Sequence, residues 1–151
     1  MLYLVLKFAH IVLAIIAVGF TSTFGLLSVR AANIDGDGRE MIFALKAIAL
    51  MSNIAHACFL LLLATGLWMI WDVGYPFTFT WIYLSLILFT VAFLAGTFVM
   101  IPSAKRRIAI LSERGPDDPE FVALSERAAK LGPALSIIAI ILILLMVAKP
   151  L

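Results

Sequence analysis

The sequence predicts an all-α fold, an integral membrane bundle of four transmembrane helices with both termini outside and both long polar loops in the cytoplasm. The first observation behind this prediction is composition. Of the 151 residues, 64% are hydrophobic and only 13% are charged, which leaves too little polar surface to cover a soluble domain. The second is the presence of four apolar runs that can cross a hydrocarbon core of roughly 30 Å, which takes about 20 helical residues. The third is the uneven distribution of basic residues among the connections.

The four predicted spans form one domain, 1–151, and cover about residues 2–29, 43–71, 77–101 and 131–148. The first run is too long for the apolar region of a signal peptide and no cleavage site follows a short one, so we expect it to remain as a helix. The Gly- and Asp-rich stretch 31–40 predicts a surface loop. The short turn 72–76 makes the second and third spans antiparallel neighbours, and the Trp and Tyr residues around it indicate headgroup depth.

A polar segment, 103–130, separates the third span from the last. Its first half is expected to continue the third helix, and the Gly, Pro and Asp residues at 115–119 predict a break before a second short amphipathic stretch. The last span is then expected to begin at Leu131, with Gly132 and Pro133 in its first turn, where proline is tolerated.

Basic residues determine the predicted orientation. Nine of the eleven lie in the first and third connections, and only Lys7 and Lys149 lie on the opposite side. The nine are Arg30, Arg39, Lys46, Lys105, Arg106, Arg107, Arg114, Arg127 and Lys130. Because Lys and Arg are retained on the cytoplasmic side, both long loops are predicted to be cytoplasmic, and the protein is assigned to a bacterial inner membrane as a multi-pass protein.

The residue pattern also excludes several functions. It offers no nucleophile beside a base, no paired carboxylates within a span and no glycine-rich phosphate loop, so no catalytic residue is predicted. The basic residues lie where topology alone would place them, so no nucleic-acid partner is predicted. The single cysteine, Cys58, is expected to be a packing residue. Four glycines predict close helix packing: Gly19, Gly25, Gly66 and Gly96.

Ionisable side chains within the spans are the candidate functional residues, because each is costly in a bilayer unless it has a partner, a water path or a function. Lys7 and Lys149 are close enough to a helix end to reach the headgroups. His10 lies three residues after Lys7, on the same helix face, and is either a ligand or an imidazole hydrogen-bonded to a neighbouring backbone carbonyl or Ser/Thr side chain. His56, with Asn53 one turn earlier, is predicted to be a structural polar group that joins helices by hydrogen bonds.

Depth along the helices argues against one haem held by both histidines. At a rise of 1.5 Å per residue, His10 lies about 30 Å from the cytoplasmic flank and His56 about 15 Å, whereas two ligands of one iron lie within about 4 Å of each other. Met69, at about 34 Å, and Met146, at about 24 Å, are better matches for His10. A His/Met pair can hold haem or copper, and the alternative is that both methionines fill the core.

The first helix contains Leu6-Lys7-Phe8-Ala9-His10-Ile11 and the second Ala64-Thr65-Gly66-Leu67. These motifs resemble a superfamily of small bacterial membrane proteins that includes CopD-type copper-resistance domains and HemJ-type protoporphyrinogen oxidases. The closing residues 145–150, Pro102 with the basic run, and Asp118-Pro119-Glu120 are similar to a sister family of four-helix membrane proteins of unknown function, over nearly the whole chain. The resemblance to HemJ-type proteins implies a haem ligand at His10 and a porphyrin-carboxylate partner at Lys7.

Three functional hypotheses follow. In the first, the protein is associated with haem b or a metal through His10. In the second, it is a non-catalytic accessory subunit, a homo-oligomer or part of a larger respiratory or photosynthetic complex, because it lacks extramembrane mass and a complete catalytic set. In the third, it is a small metal or porphyrin permease, although four helices enclose little room.

Overall fold

The structure is a computed structural model that describes the backbone at residues 1–32 and 39–149, and the side chains at 1–23 and 40–149. The predicted loop at 33–38, the close packing predicted for Gly25, and the side chains of Arg30 and Arg39 lie outside the described residues. The described part is helical throughout apart from two short turns and contains no strand.

The first helical hairpin consists of α1, Leu2–Ala32, and α2, Arg39–Val73. Both helices are apolar over long runs, and in lipid a helix satisfies its backbone hydrogen bonds within itself. Hydroxyl side chains in these helices also donate hydrogen bonds to carbonyls of their own helix. Thr21 donates to the carbonyl of Ala17 at 2.7 Å, and Ser52 donates to that of Ile48 at 2.8 Å.

The second hairpin begins with a helix that continues from Thr80 to Arg114 in three parts. Helix α3, Thr80–Ala95, is followed by one wide π-helical turn, Gly96–Met100, and by α4, Ile101–Arg114. In the wide turn the Ile101 N–H donates to the Gly96 carbonyl, five residues earlier. Pro102 follows directly, and proline lacks an N–H and crowds the carbonyl four residues back, so a wide turn accommodates it. The predicted continuation of the third helix into the polar segment is confirmed.

Helix α5 begins earlier than the sequence suggested, since it runs from Pro119 to Ala148 without a break. The prediction that Gly132 and Pro133 lie in the first turn is wrong, since Pro133 lies inside the helix. The start of the membrane-spanning part at Leu131 stays a prediction. Its start is fixed by Asp118, whose carboxylate oxygen accepts from the backbone N–H groups of Glu120 at 2.9 Å and Phe121 at 3.4 Å, with Pro119 in the favoured first position. The polar segment 103–130 is therefore a helical hairpin with a turn at 115–118, not a loop.

The helices form a closed ring in the order α1, α2, α3, α5. Helix α1 packs against α2 and α5, and α3 packs against α5. The ring closes between α2 and α3 through aromatic contacts, including an edge-to-face pair between Phe59 and Phe89 at 5.9 Å. Among the described residues, four helical segments are long and apolar enough to cross a membrane. The predicted all-α bundle of four transmembrane helices is confirmed.

The two ends of this bundle differ in chemistry. At one end, which we call the aromatic end, the Lys149 ammonium lies 5.4 Å from the ring centroid of Trp81 and 5.7 Å from that of Tyr75, a favourable cation–π geometry. At the other, the hairpin end, α2, α4 and α5 share an apolar core. The core residues are Met41, Leu45, Ile48, Ile110, Leu111 and Phe121.

Ion pairs cover the hairpin end. Glu120 accepts from Arg106 Nε at 2.8 Å and Nη2 at 3.2 Å, and from Arg114 Nη2 at 2.8 Å. Arg114 also lies 3.3 Å from Asp118. These contacts join the start of α5 to α4, although exposed pairs of this kind each contribute little to stability.

Candidate functional site

His10 lies in the interface between α1 and α2. Its Nδ1 is 2.9 Å from the Thr65 hydroxyl oxygen. The Thr65 hydroxyl in turn donates to backbone carbonyls of its own helix, those of Leu61 at 2.8 Å and Leu62 at 3.1 Å.

The hydrogen bonds around Thr65 are satisfied together in one tautomer of His10. A hydroxyl has one hydrogen, so when the Thr65 hydroxyl donates to a carbonyl of its own helix, its oxygen accepts from His10 Nδ1–H. A neutral imidazole protonated at Nδ1 carries its lone pair on Nε2. In this tautomer the Nε2 lone pair of His10 takes no part in the contact with Thr65.

Gly66 provides the space for the His10 ring. A Cβ atom placed on Gly66 would lie 3.1 Å from Cε1 of His10, which is tighter than most contacts of such atoms. The absence of a side chain at this position lets the imidazole approach the backbone of α2 closely. The prediction of close packing is confirmed for Gly66 but not for Gly19, where an added Cβ atom would have no heavy atom of the described residues within 4 Å.

His56 makes a second contact of the same composition, between α2 and the π-helical turn. Its Nε2 bonds to the Thr97 hydroxyl, which donates to the Phe93 carbonyl at 2.8 Å. A Cβ atom on Gly96 would lie 3.2 Å from His56 Cε1. The imidazole also stacks on the Phe93 ring, with 4.6 Å between centroids. The predicted role of His56 in joining helices by a hydrogen bond agrees with this geometry.

The two histidine contacts lie at different levels of the bundle. Both involve α2, where His56 and Thr65 are about nine residues apart, so the two sites are separated by roughly 13 Å along the helix axis. Ligands of one iron must lie far closer than this. The offset agrees with the sequence argument that the two histidines do not share a metal.

The structure places the other predicted site residues on three helices, α1, α2 and α5. Lys7 is one turn from His10 on α1 and is exposed. Met69 is one turn beyond Thr65 on the same face of α2 and is half-buried, which places it next to the His10 contact. Met146, on α5, is 40% exposed. Asn53 is exposed on α2, and its structural role stays a prediction.

A Ser/Thr side chain was the alternative partner expected for His10, and Thr65 is such a partner. The positions of Thr65 and Thr97 were not identified from the sequence, although a signal for them exists. In an antiparallel hairpin, residues at equal distances from the turn lie at the same level. His56 lies about 17 residues before the end of α2, and Thr97 lies about 17 residues after the start of α3. The same counting is less close across the first connection, where His10 lies 22 residues before the end of α1 and Thr65 lies 26 residues after the start of α2, a difference of about one turn. Among the described residues, no three His, Cys, Asp or Glu side chains gather into a group that could hold a metal ion.

The fold and the apolar helices define a multi-pass integral membrane protein, and the comparison with known families agrees. The chain belongs to the family described as predicted integral membrane protein (DUF2269), whose pattern matches residues 4–150. The resemblance to a family of membrane proteins of unknown function is thereby confirmed. No curated protein and no solved structure matches the chain, and the more distant similarity to CopD-type and HemJ-type proteins stays a prediction.

Proposed function

We propose that this protein is a membrane-bound haem protein in which His10 supplies an axial ligand to haem b through Nε2. The observation that supports the proposal is the contact between His10 Nδ1 and the Thr65 hydroxyl, because this contact uses Nδ1 and leaves Nε2 outside it. Ligating histidines in proteins usually donate their other ring N–H to an oxygen acceptor, which holds the ring and makes it a better ligand. Thr65 is such an acceptor.

Haem suits a single histidine better than a bare metal ion does. A zinc or copper ion needs three or four ligands from the protein. Haem iron already has four porphyrin nitrogens and needs one or two axial ligands. Lys7 lies one turn away on the same helix and carries the charge that a propionate would pair with, and the Met69 thioether next to the contact is a candidate for the second axial position.

A difference spectrum tests the proposal. The protein is expressed in cells supplied with a haem precursor and purified in detergent, and the reduced-minus-oxidised visible spectrum is recorded. We expect b-type bands in the wild type, their loss in His10→Leu, and their retention in His56→Leu, which is the matched control because His56 has the same kind of threonine partner. Thr65→Val should weaken haem retention by about tenfold, as the loss of a partner that orients a ligand does.

Two outcomes would contradict the proposal. The first is a wild-type protein with no b-type bands and no iron or copper by elemental analysis. The second is equal loss of the bands in both histidine variants. If haem and metal are both absent and crosslinking after gentle solubilisation captures a stoichiometric partner, the accessory-subunit hypothesis replaces this one. The bacterial inner membrane and the outward termini remain predictions in either case.

A further inference from the structure

The hairpin end carries a groove between α4 and α5 that the proposed haem site does not involve. It has a volume of about 290 Å³. Its apolar lining, which we call the floor, includes Phe98, Val99 and Leu131. Its polar lining, which we call the rim, includes Ser103, Arg106 and Arg127. An apolar floor that leads to a rim with two guanidinium groups and a hydroxyl matches the two parts of a phospholipid.

The groove lies at the depth where a lipid changes from acyl chain to phosphate. From Trp81 at the aromatic end, Pro102 on the groove is about 21 residues along the helix, or roughly 32 Å. From Lys149, Leu131 is about 18 residues away, or roughly 27 Å. Both distances agree with a hydrocarbon core of roughly 30 Å. The apolar floor is therefore level with acyl chains, and the arginines are level with headgroups.

Charge is sorted by distance from the membrane along this hairpin. The part next to the apolar spans is mainly basic, and the tip is mainly acidic. The basic residues nearest the spans are Lys105, Arg106, Arg107, Arg127 and Lys130, with Glu126 as the exception. The acidic residues nearest the tip are Glu113, Asp117, Asp118 and Glu120, with Arg114 as the exception. A positive charge at headgroup level attracts anionic lipid.

The two arginines of the rim differ in their freedom to bind a phosphate. Arg106 donates its Nε and Nη2 to Glu120, so part of its charge is already compensated. Arg127 is exposed, and the structure pairs it with no carboxylate in the described chain. Arg127 is therefore the principal candidate for a phosphate contact.

We propose that this groove binds an anionic phospholipid of the adjacent leaflet, with the phosphate held at Arg127 beside Ser103 and Arg106 and an acyl chain lying on Phe98, Val99 and Leu131. Charge complementarity selects an anionic headgroup over a zwitterionic one, and the apolar floor selects a lipid over a free phosphate.

The test uses the full chain, purified in detergent and delipidated, and measures binding of phosphatidylglycerol and phosphatidylcholine by native mass spectrometry. We expect phosphatidylglycerol to bind at least fivefold more tightly. Arg127→Gln should lower that affinity about fivefold, the effect of one basic residue at a membrane surface. Lys105→Gln is the matched control, since Lys105 is exposed and basic at a similar level but does not line the groove; its affinity should stay within twofold of wild type.

A floor variant separates a lipid from a free anion. Phe98 is 71% exposed, so Phe98→Ser should leave the fold intact while weakening the binding of the two-chain lipid. Thermal melting of each variant in detergent checks that the fold is retained. The proposal is overturned if both lipids bind equally, if Lys105→Gln and Arg127→Gln have the same effect, or if glycerol 3-phosphate alone competes as well as the lipid does. Crosslinking of a protein segment into the groove would overturn it as well.

Discussion

The contacts of His10 and His56 use the same three residue types but differ in what covers the imidazole ring. In each, a histidine nitrogen bonds to a threonine hydroxyl, and a glycine beside that threonine admits the ring. His56 additionally stacks on Phe93, whereas the described part of the chain stacks no aromatic ring on His10. The same hydrogen bond can therefore belong to a packing contact or, as we propose for His10, to a ligand, and the surroundings of the ring differ between the two.

The two contacts also use opposite nitrogens. The nitrogen that contacts the threonine is Nδ1 in His10 and Nε2 in His56, so the nitrogen outside the contact is Nε2 in His10 and Nδ1 in His56. Nε2 lies at the far end of the imidazole from the backbone, so it reaches a bound group more easily than Nδ1 does. This difference, like the stacking, favours His10 as the ligand and His56 as the residue that holds α2 to the next helix.

Removal of each imidazole should have the largest effect and should separate the two contacts. We expect His56→Ala to lower the free energy of unfolding of the haem-free protein by about 2–3 kcal/mol, because it loses the threonine bond, the ring packing and the stacking on Phe93. His10→Ala should cost about 1–2 kcal/mol, since it loses only the first two. Reversible unfolding in mixed micelles measures both. A larger loss for His10→Ala would show that ring stacking does not distinguish the sites.

Removal of the threonine hydroxyls should have a smaller and more equal effect. Thr65→Val and Thr97→Val keep the shape of the side chain but leave a histidine N–H without an acceptor, so each should cost about 1–2 kcal/mol. Thr90→Val is the control, because the exposed Thr90 hydroxyl bonds only to the Leu86 carbonyl of its own helix, and it should change stability by less than about 0.5 kcal/mol. If all three variants behave alike, the histidine–threonine bonds contribute nothing specific.

Added methyl groups at the two glycines should have a still smaller effect. Gly66→Ala and Gly96→Ala each place a Cβ atom within 3.2 Å of a histidine Cε1, and the strain offsets the gain of about 1 kcal/mol that alanine brings to a helix interior. Gly19→Ala gains the helix propensity of alanine without the clash, since no heavy atom of the described residues lies within 4 Å of a Cβ atom placed there. We expect both contact variants to be about 1 kcal/mol less stable than Gly19→Ala, measured by thermal melting in detergent. Equal stability of the three would mean that the rings move aside freely.

The bundle could be predicted from the sequence because lipid imposes one strong constraint, that every span be a long apolar helix. The start of α5, in contrast, could not be predicted from the sequence. Pro133 follows the apolar boundary at Leu131, and a proline there usually marks a first turn. The cap at Asp118 and the burial of Phe121 in the hairpin core start the helix more than ten residues earlier, and an interior proline is then tolerated despite its lost hydrogen bond.

The candidate site could be predicted only in part. His10, Lys7 and His56 stood out because ionisable residues are rare in a bilayer. Thr65 and Thr97 did not, since threonine in a membrane helix usually bonds its own backbone, and both of these residues do so while also contacting a histidine nitrogen. Only the pairing of helices turns an ordinary threonine into a partner, and that pairing depends on turn position and helix rotation together.

The smallest expected effect, a coupling energy between Phe93 and His56, is also the most selective test of the difference between the two histidine contacts. Phe93→Leu removes the ring that stacks on His56 but leaves Thr97 and its bond, so it should cost about 0.5–1.5 kcal/mol. Phe93 also stacks on Phe89, at 6.1 Å between centroids, so a single variant cannot assign the loss to His56. A double-mutant cycle can assign the loss, because it measures the coupling energy between two residues. The coupling between Phe93→Leu and His56→Ala should be about 0.5 kcal/mol, and that between Phe93→Leu and His10→Ala should be near zero. Equal couplings would mean that Phe93 supports the whole bundle rather than one imidazole, and stacking would then no longer explain why the two histidines differ.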